Sequence, residues 1–321
     1  MTKRYLYAII IIVFSSITIL HSDITTGLVA NYPFNSNADN ETGTGPNGTI
    51  QGAVPTDDRF GNANSAYSYD GNDYIYLGDS LDSGSNDMTL CVWIRSGNYN
   101  QYSKIINKGQ TVSGTPANSG YSIRLLNASA GVVPSEIAFQ YHSDANVGIS
   151  TNAYTGSLIG GHYNFICGVL SRNEGNTVEL KLYINGVIMD TNTDVAGPSD
   201  TNIPLAFGVL HRGDFGDNDE FFQGDIDDIR IYHRVLSQND VLELYHLGSW
   251  MVQPQNIEIA ESGSLIQLSW NNVVGATSYK VYSSTDPYSI FTVDTTGTFV
   301  SSSWSAPIST EKRFFYVTAE R

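Results

Sequence analysis

The chain has 321 residues, enough for one large β domain with a small one, or for two medium-sized domains. Aromatic residues make up 12%, charged residues only 15%, and glycine occurs 30 times, which favours strands joined by tight turns over amphipathic helices. The 32 acidic and 16 basic residues give a net charge of −16. That balance excludes nucleic acid as a partner, because binding phosphate requires clusters of Lys and Arg, and it argues against anionic membrane surfaces.

The N-terminus predicts export. Lys3 and Arg4 precede an apolar run, Tyr5–Leu20, and small or polar residues follow from Ser22. This is the order of a signal peptide. Residues 1–22 are therefore expected to be removed, leaving a secreted or cell-surface protein with no membrane insertion after cleavage. An uncleaved anchor is the alternative, although the run is shorter than the ~20 residues that span a bilayer.

The next part of the chain, residues 23–250, predicts one long β domain. Short apolar runs alternate with Gly, Asn, Asp and Ser clusters, as in a jelly roll or similar sandwich. In the hairpin Leu180–Asp190, Asn185 and Gly186 predict a type I′ turn, because both central positions need a positive φ. The predicted strands are Leu28–Phe34, Ala66–Tyr69, Tyr74–Leu77, Thr89–Arg95, Lys104–Lys108, Tyr121–Leu126, Glu136–Tyr141, Tyr163–Ser171, Val178–Ile184, Val187–Thr191, Leu205–Val209 and Asp225–Tyr232.

A short helix and a second module follow. Ser237 predicts the N-cap of a two-turn helix that ends before Gly248. Pro254 marks a boundary, and residues 251–321 form a small separate module. Its predicted strands are Ile257–Ala260, Leu265–Trp270, Ser278–Ser283 and Phe314–Ala319.

The exported part contains two cysteines, Cys91 and Cys167, each inside a predicted strand. In an oxidising compartment they can form a disulfide. The alternative is a pair of buried thiols that pack as small hydrophobic side chains. The sequence leaves both readings open.

Eight segments, in order, resemble the laminin G-like/concanavalin A-like jelly-roll domains of surface and secreted proteins. The resemblance implies an all-β fold, a jelly-roll β-sandwich. Residues Leu268–Trp270, Tyr279–Tyr282 and Phe315–Thr318 resemble three strands of a fibronectin type III module, which implies a small C-terminal fibronectin type III-like β-sandwich. The eight segments are Gly27–Phe34, Asn35–Gly48, Asp58–Ala66, Tyr69–Tyr74, Met88–Ile94, Ile106–Gly109, Leu182–Gly186 and Phe222–Ser237.

The start of the last long strand is acidic. Asp225, Asp227 and Asp228 need solvent, an Arg partner or a metal, because burying an unpaired carboxylate is costly. The resemblance implies a structural Ca²⁺ that ties Asp227 to the first loop, and the alternative is a hydrogen-bonded turn. The loop residues that this places near the ion are Asp39, Asn40, Glu41, Thr42, Gly43 and Asn47.

A second acidic cluster lies in residues 213–220 and contains Asp214, Asp217, Asp219 and Glu220. Its spacing lacks the closing bidentate Glu of a complete Ca²⁺ loop. We expect a solvated loop.

Three classes of function remain. Glucanases of this fold carry Glu-x-Asp-x-(x)-Glu on one strand to supply two catalytic carboxylates, and this sequence has no such run, so we expect no enzyme activity. A binding module for polysaccharide or glycoconjugate is the leading hypothesis, since aromatic side chains on loops stack on sugar faces. Adhesion to surface proteins is the alternative. The aromatic residues predicted to contact a ligand are Tyr99, Tyr102, Tyr141, Tyr154 and Phe215.

Overall fold

The computed structural model describes residues 23–109, 119–127, 135–145, 147–211, 218–247, 254, 256–271, 278–286, 291–309 and 313–320. The chain divides into two compact units, residues 1–242 and 243–321. The predicted signal peptide and the predicted boundary at residues 250–251 lie outside the described residues. Within the described part, no helix is long and apolar enough to cross a membrane.

The first unit is built from two antiparallel sheets. One sheet has the strand order β13-β12-β11-β6-β15-β4-β3, with β1 also paired to β15, and the other has the order β10-β9-β8-β7-β14-β5-β2. The strands are β1 (Leu28–Tyr32), β2 (Thr49–Gln51), β3 (Val54–Thr56), β4 (Ala66–Asp70), β5 (Tyr74–Tyr76), β6 (Met88–Arg95), β7 (Ser103–Gly109), β8 (Gly120–Leu126), β9 (Glu136–His142), β10 (Gly148–Tyr154), β11 (Asn164–Arg172), β12 (Thr177–Ile184), β13 (Val187–Val195), β14 (Leu205–Phe207) and β15 (Gln223–Tyr232).

The two sheets share one apolar core, to which most strands contribute alternate residues. Strands β2, β3 and β13 contribute none. Gly168 on β11 shows how closely they approach, since a Cβ there would lie 2.5 Å from the ring of Phe139 on β9. The all-β jelly-roll prediction is confirmed, and each of the twelve strands expected in this unit is present. The sequence does not predict three strands of this unit. Strands β2 and β3 are only three residues long, and β10 has few large apolar residues.

Two local predictions are confirmed by backbone geometry. Asn185 and Gly186 have φ of 51° and 78°, as the type I′ hairpin between β12 and β13 requires. Helix α1 spans Gln238–His246. Ser237 caps it, because its Oγ accepts a hydrogen bond from the Asp240 N–H at 3.2 Å while the Asp240 carboxylate accepts one from the Ser237 N–H at 2.9 Å.

Cys91 and Cys167 lie directly opposite each other on β6 and β11. Both are buried free thiols, and their sulfur atoms are 3.1 Å apart. In the structure both cysteines are therefore thiols. Their oxidation to a disulfide in an exported protein stays a prediction.

The aspartates at the start of β15 form salt bridges with arginines. Arg59 binds Asp227 at 2.6 Å and Asp228 at 3.0 Å, and Arg95 binds Asp225 at 2.7 Å. The guanidinium of Arg59 also lies over the ring of Trp93, 4.8 Å from its centroid. Burial raises the pKa of the Asp227 carboxyl, and Arg59 opposes that rise. Arg59 therefore connects the segment before β4 to β6 and β15.

The second unit contains two smaller sheets, ordered β16-β17-β21-β20 and β19-β18-β22. Trp270 and Trp304 are buried in its core with Leu268, Val281 and Val317. The four strands predicted here are present, and three short ones were not predicted. The strands are β16 (Glu258–Ser262), β17 (Leu265–Ser269), β18 (Ser278–Ser284), β19 (Thr292–Val293), β20 (Thr298–Val300), β21 (Ser303–Pro307) and β22 (Phe314–Glu320).

The substitution Arg59→Met tests the role of this arginine. It leaves the Asp227 carboxylate, only 2% exposed, without its cation, so we expect the free energy of unfolding to fall by about 3–5 kcal/mol. Urea unfolding measures the loss. The control is Lys181→Met, which breaks a half-exposed pair with Glu179 and should cost less than about 1 kcal/mol. Equal small losses in both variants would contradict the assigned role.

Candidate functional site

The outer face of the second sheet is polar where its inner face is apolar. On β8, Tyr121 and Ile123 point into the core, so Ser122 and Arg124 point outward. On β9, Phe139 and Tyr141 point inward, so Gln140 and His142 share the outer face with Arg124. Because β8 and β9 are paired, these polar side chains form one continuous surface.

A pocket of about 220 Å³ lies on this face, across β7, β8 and β9. It is smaller than the ~300–1,000 Å³ typical of sites for drug-sized ligands, so it has room for one ring or one charged substituent. Among the described residues that line it, none is an Asp or a Glu. The side chains that supply its polar groups are Lys104, Asn107, Ser122, Arg124, Gln140 and His142.

Arg124 connects the pocket to three neighbouring side chains. Its guanidinium donates to Gln140 Oε1 and to Glu220 Oε2, both at 3.2 Å, and lies 4.5 Å from the ring centroid of Tyr102. Glu220 lies in the segment before β15, and its φ of 51° is in the left-handed region that few non-glycine residues adopt. Glu220 does not fit the expectation of a solvated acidic loop, because its side chain is only 16% exposed. Asp219 is exposed as expected, and Asp214 and Asp217 lie outside the described residues.

Lys104 and His142 are shifted toward their neutral forms. Burial lowers the pKa of Lys104 to about 7, helped by the neighbouring Arg124 and opposed by Glu220 and Asp219. Burial also lowers the pKa of His142, and the positive charges of Lys104 and Arg124 lower it further. The pocket thus disfavours the charged forms of both Lys104 and His142.

An aromatic cluster occupies the other side of the same face. Tyr74 and Tyr76 flank the core residue Ile75 on β5 and therefore point outward, where both rings are partly exposed. The ring of His211 packs against them, with centroids 5.7 and 4.9 Å away, and Phe221 lies 6.5 Å from Tyr74. We call Tyr74, Tyr76, His211 and Phe221 the aromatic platform.

Strand register links the platform to the pocket. Tyr76 lies opposite Ala206 on β14, and Ala206 lies opposite Asn107 on β7. Asn107 in turn is opposite Ser122, so platform and pocket fall on one row across the sheet. Neighbouring strands are ~4.8 Å apart, so Tyr76 and Asn107 are separated by roughly 10 Å. Ala206, the residue between them in this row, is fully buried.

The structure separates the aromatic residues predicted to bind a ligand. Tyr102 is 49% exposed and lies beside the pocket, since its ring contacts the guanidinium of Arg124. Tyr154 is 57% exposed and lies at the far edge of the same sheet face. Tyr99 and Tyr141 are buried, where their hydroxyls bond to Asn164 and Gly197, so their rings cannot stack on a ligand. Phe215 lies outside the described residues.

The residues predicted to hold calcium do not fit a Ca²⁺ site as a set. Asp227 is bound by Arg59. In the loop, Asn40 Oδ1 accepts hydrogen bonds from the backbone N–H groups of Asn31 and Thr42, and Asn47 Oδ1 accepts one from Asn40. Asp39, Glu41 and Gly43 are exposed. Across the described residues, no three Asp, Glu, His or Cys side chains are placed to hold one metal ion.

The hydrogen bonds in this loop match the alternative to a Ca²⁺ site, which is a hydrogen-bonded turn. Calcium binding stays a prediction from the sequence, and metal analysis after EDTA dialysis and Ca²⁺ readdition tests it.

Sequence reasoning missed the pocket and the platform. Lys104, Arg124 and His142 lie in predicted strands, and the alternation of apolar and polar residues does show that they face outward. The alternation does not show which strands are neighbours. Only the sheet order brings β5, β7, β8 and β9, which are distant in sequence, to one surface.

The family is established by residues 69–242, more than half of the chain, which match the model of the concanavalin A-like lectin/glucanases superfamily (Laminin_G_3). The chain belongs to this superfamily. The matched region includes β5 to β15 and therefore every residue of the pocket and of the platform. No curated protein matches the chain.

Solved structures with the same fold include binding domains of bacterial toxins. The binding domain of Paraclostridial Mosquitocidal Protein 1 is 16% identical with a TM-score of 0.50, and the match covers 77% of this chain and 65% of that one. The binding domain of botulinum neurotoxin DC in complex with SialylT is 12% identical with a TM-score of 0.50, covering 81% and 66%. Domain 4 of a GH43 extracellular arabinanase from Geobacillus stearothermophilus, in complex with arabinotriose, is 21% identical with a TM-score of 0.49, covering 68% and 98%. At these identities the likeness establishes the fold alone.

The substitution Lys104→Met tests the electrostatics of the pocket. Lys104 has a lower pKa in the folded protein, about 7, than in the unfolded chain, so between pH 7 and pH 10 the unfolded state binds more protons and stability rises with pH. Methionine removes the cost of burying the ammonium. We expect the variant to be more stable at pH 7 by on the order of 1–2 kcal/mol, with a difference that shrinks toward pH 10.

Urea midpoints at pH 7 and at higher pH measure this difference. Lys181→Met is the matched control, since the Lys181 side chain is 33% exposed on the other sheet and should change neither stability nor its pH dependence appreciably. A less stable Lys104→Met at pH 7 would contradict the assignment.

Proposed function

We propose that this protein is a non-catalytic carbohydrate-binding protein whose binding site is the outer face of the second sheet. The observation that carries the proposal is the position of the aromatic platform and the polar pocket on one row of that face. Aromatic rings bind the apolar faces of sugar rings, and convergent amide, hydroxyl and guanidinium groups bind their hydroxyls. A short oligosaccharide spans the roughly 10 Å between the two.

Two features of the site support this function over catalysis. Glycosidases of this type need two carboxylates that flank the scissile bond, ~5–5.5 Å apart in retaining enzymes. No carboxylate is among the described residues that line the pocket. Glu220 beside it is bound by Arg124 and lies 3.8 Å from Lys104. A carboxylate that Arg124 already engages is not free to flank a scissile bond as a catalytic group.

The toxin binding domains that share the fold guide the choice of ligands to test. The binding domain of botulinum neurotoxin DC was solved once with SialylT and once with rat synaptotagmin II, so ligands of both kinds are worth testing. Surface-protein adhesion is therefore the second candidate for this chain. The exposed apolar side chains of Val187, Ile188 and Met189 at the start of β13 favour it.

The setting of the site is part of the proposal. The N-terminal run of residues 1–22 supports export, which places the site outside the cytoplasm. The C-terminal unit supports a fibronectin type III-like spacer, because two small sheets enclose a core with Trp270 at the end of β17. A spacer of this kind presents a binding domain and adds no chemistry to it.

The substitution Tyr76→Ala tests the site. It removes one face of the aromatic platform, so we expect affinity for a bound glycan to fall roughly 5–20-fold, about 1–2 kcal/mol. The full chain is first screened against a panel of neutral and acidic polysaccharides, and the variant is then measured on each polysaccharide that binds.

Tyr154→Ala is the matched control, an exposed tyrosine on the same sheet face but at the opposite edge. It should bind like the wild-type protein. If the loss appeared in Tyr154→Ala and not in Tyr76→Ala, the site would lie elsewhere, and if no polysaccharide bound, the proposed function would be wrong.

A further inference from the structure

The pocket concentrates basic groups in a strongly acidic protein. Lys104, Arg124 and His142 all line it, although the whole chain carries a net charge of −16. Lys104 and Arg124 are adjacent on β7 and β8 and are 6% and 8% exposed. Two buried cations side by side repel each other, so their placement costs stability unless an anion compensates for them.

Among the described residues, the carboxylates of Glu220 and Asp219 oppose this repulsion, and Glu220 forms the ion pairs. A single carboxylate oxygen, Glu220 Oε2, accepts the hydrogen bond from Arg124 and lies 3.8 Å from Lys104 Nζ, which is beyond hydrogen-bonding distance. Among the described residues, Arg124 Nε and His142 Nδ1 are buried without a hydrogen-bond partner. Unpaired groups of this kind are costly, and in native proteins they mark places where a ligand or water completes the set.

From these contacts we infer that the pocket binds the anionic group of an acidic saccharide, while the aromatic platform holds a neighbouring ring. This inference rests on the proposed function and names the ligand class of the same site. The volume of about 220 Å³ suits one charged ring or its substituent. A carboxylate or sulfate placed there accepts hydrogen bonds from Arg124 and Lys104, and charge-assisted bonds of this kind are roughly twice as strong as neutral ones.

The surrounding groups make this binding depend on pH. Lys104 is faced by Arg124 on β8 and by Asp219 and Glu220 in the segment before β15, and His142 on β9 feels the charge of both Lys104 and Arg124. With the pKa of Lys104 at about 7, the unliganded pocket loses positive charge as pH rises through neutrality. A bound anion favours the protonated ammonium, so binding takes up a proton and tightens as pH falls.

The test uses pairs of ligands that differ only in charge. The full chain is titrated with polygalacturonate and alginate oligosaccharides and with the carboxyl-reduced form of each, and dextran sulfate against dextran separates a sulfate site from a carboxylate site. We expect at least one acidic ligand to bind 10-fold or more tightly than its neutral counterpart. We also expect its affinity to rise about 10-fold from pH 8.5 to pH 6.

Lys104→Met should abolish that charge preference and its pH dependence. Because this variant is expected to be more stable than the wild-type protein, unfolding cannot account for the loss. The control Lys181→Met should keep both properties.

The outcomes separate the two proposals. If neutral and acidic ligands bind equally well and Tyr76→Ala weakens both, the carbohydrate function stands and the anionic site is wrong. If binding of an acidic ligand is unchanged in Lys104→Met, the anionic site is also wrong. If no ligand of either class binds, both proposals fail.

Discussion

The structure depends on the alternation of side chains along two neighbouring strands of the second sheet. Packing Tyr121 and Ile123 of β8, and Phe139 of β9, against the first sheet forces Ser122, Arg124 and Gln140 onto the opposite face. A shift of one residue in register would exchange the two sets and bury a guanidinium in the core. The same packing that stabilises the sandwich therefore fixes the composition of the candidate site.

Charged side chains on the outer faces of the two sheets differ in how they are paired. Beside the first sheet, Asp225, Asp227 and Asp228 are each paired with an arginine, so their role is accounted for by the fold. On the second sheet, Arg124 and Lys104 both pair with Glu220, and Asp219 also faces Lys104. Two buried nitrogen atoms of the pocket have no partner within the described residues. Unpartnered polar groups in a concave surface are the pattern expected of a binding site, where a ligand completes the hydrogen bonds.

Much of the fold could be predicted from the sequence because its signals are local. The alternation of apolar residues located the long strands, and the Asn185-Gly186 pair located a hairpin, since each signal depends on residues that are close in the chain. The candidate site could not be predicted in this way. Arg59 reaches Asp227 across 168 positions and Arg124 reaches Glu220 across 96, and no local pattern encodes such contacts.

Contacts between residues that are distant in sequence also explain why some predicted site residues are not supported by the structure. The sequence places Tyr99 and Tyr141 in or beside loops, but their burial depends on segments far away in the sequence, which supply the partners of their hydroxyls. The resemblance implies that Asp227 is a calcium ligand, whereas the Arg59 side chain that binds it comes from another part of the chain.

A crystal structure of the protein with a bound oligosaccharide tests the central claim most directly. This account predicts a sugar ring against Tyr74 or Tyr76, with the next ring within hydrogen-bonding distance of Arg124 or Lys104. A sugar held instead by the first loop around Asn40 and Thr42, or by the outer face of the first sheet, would contradict it.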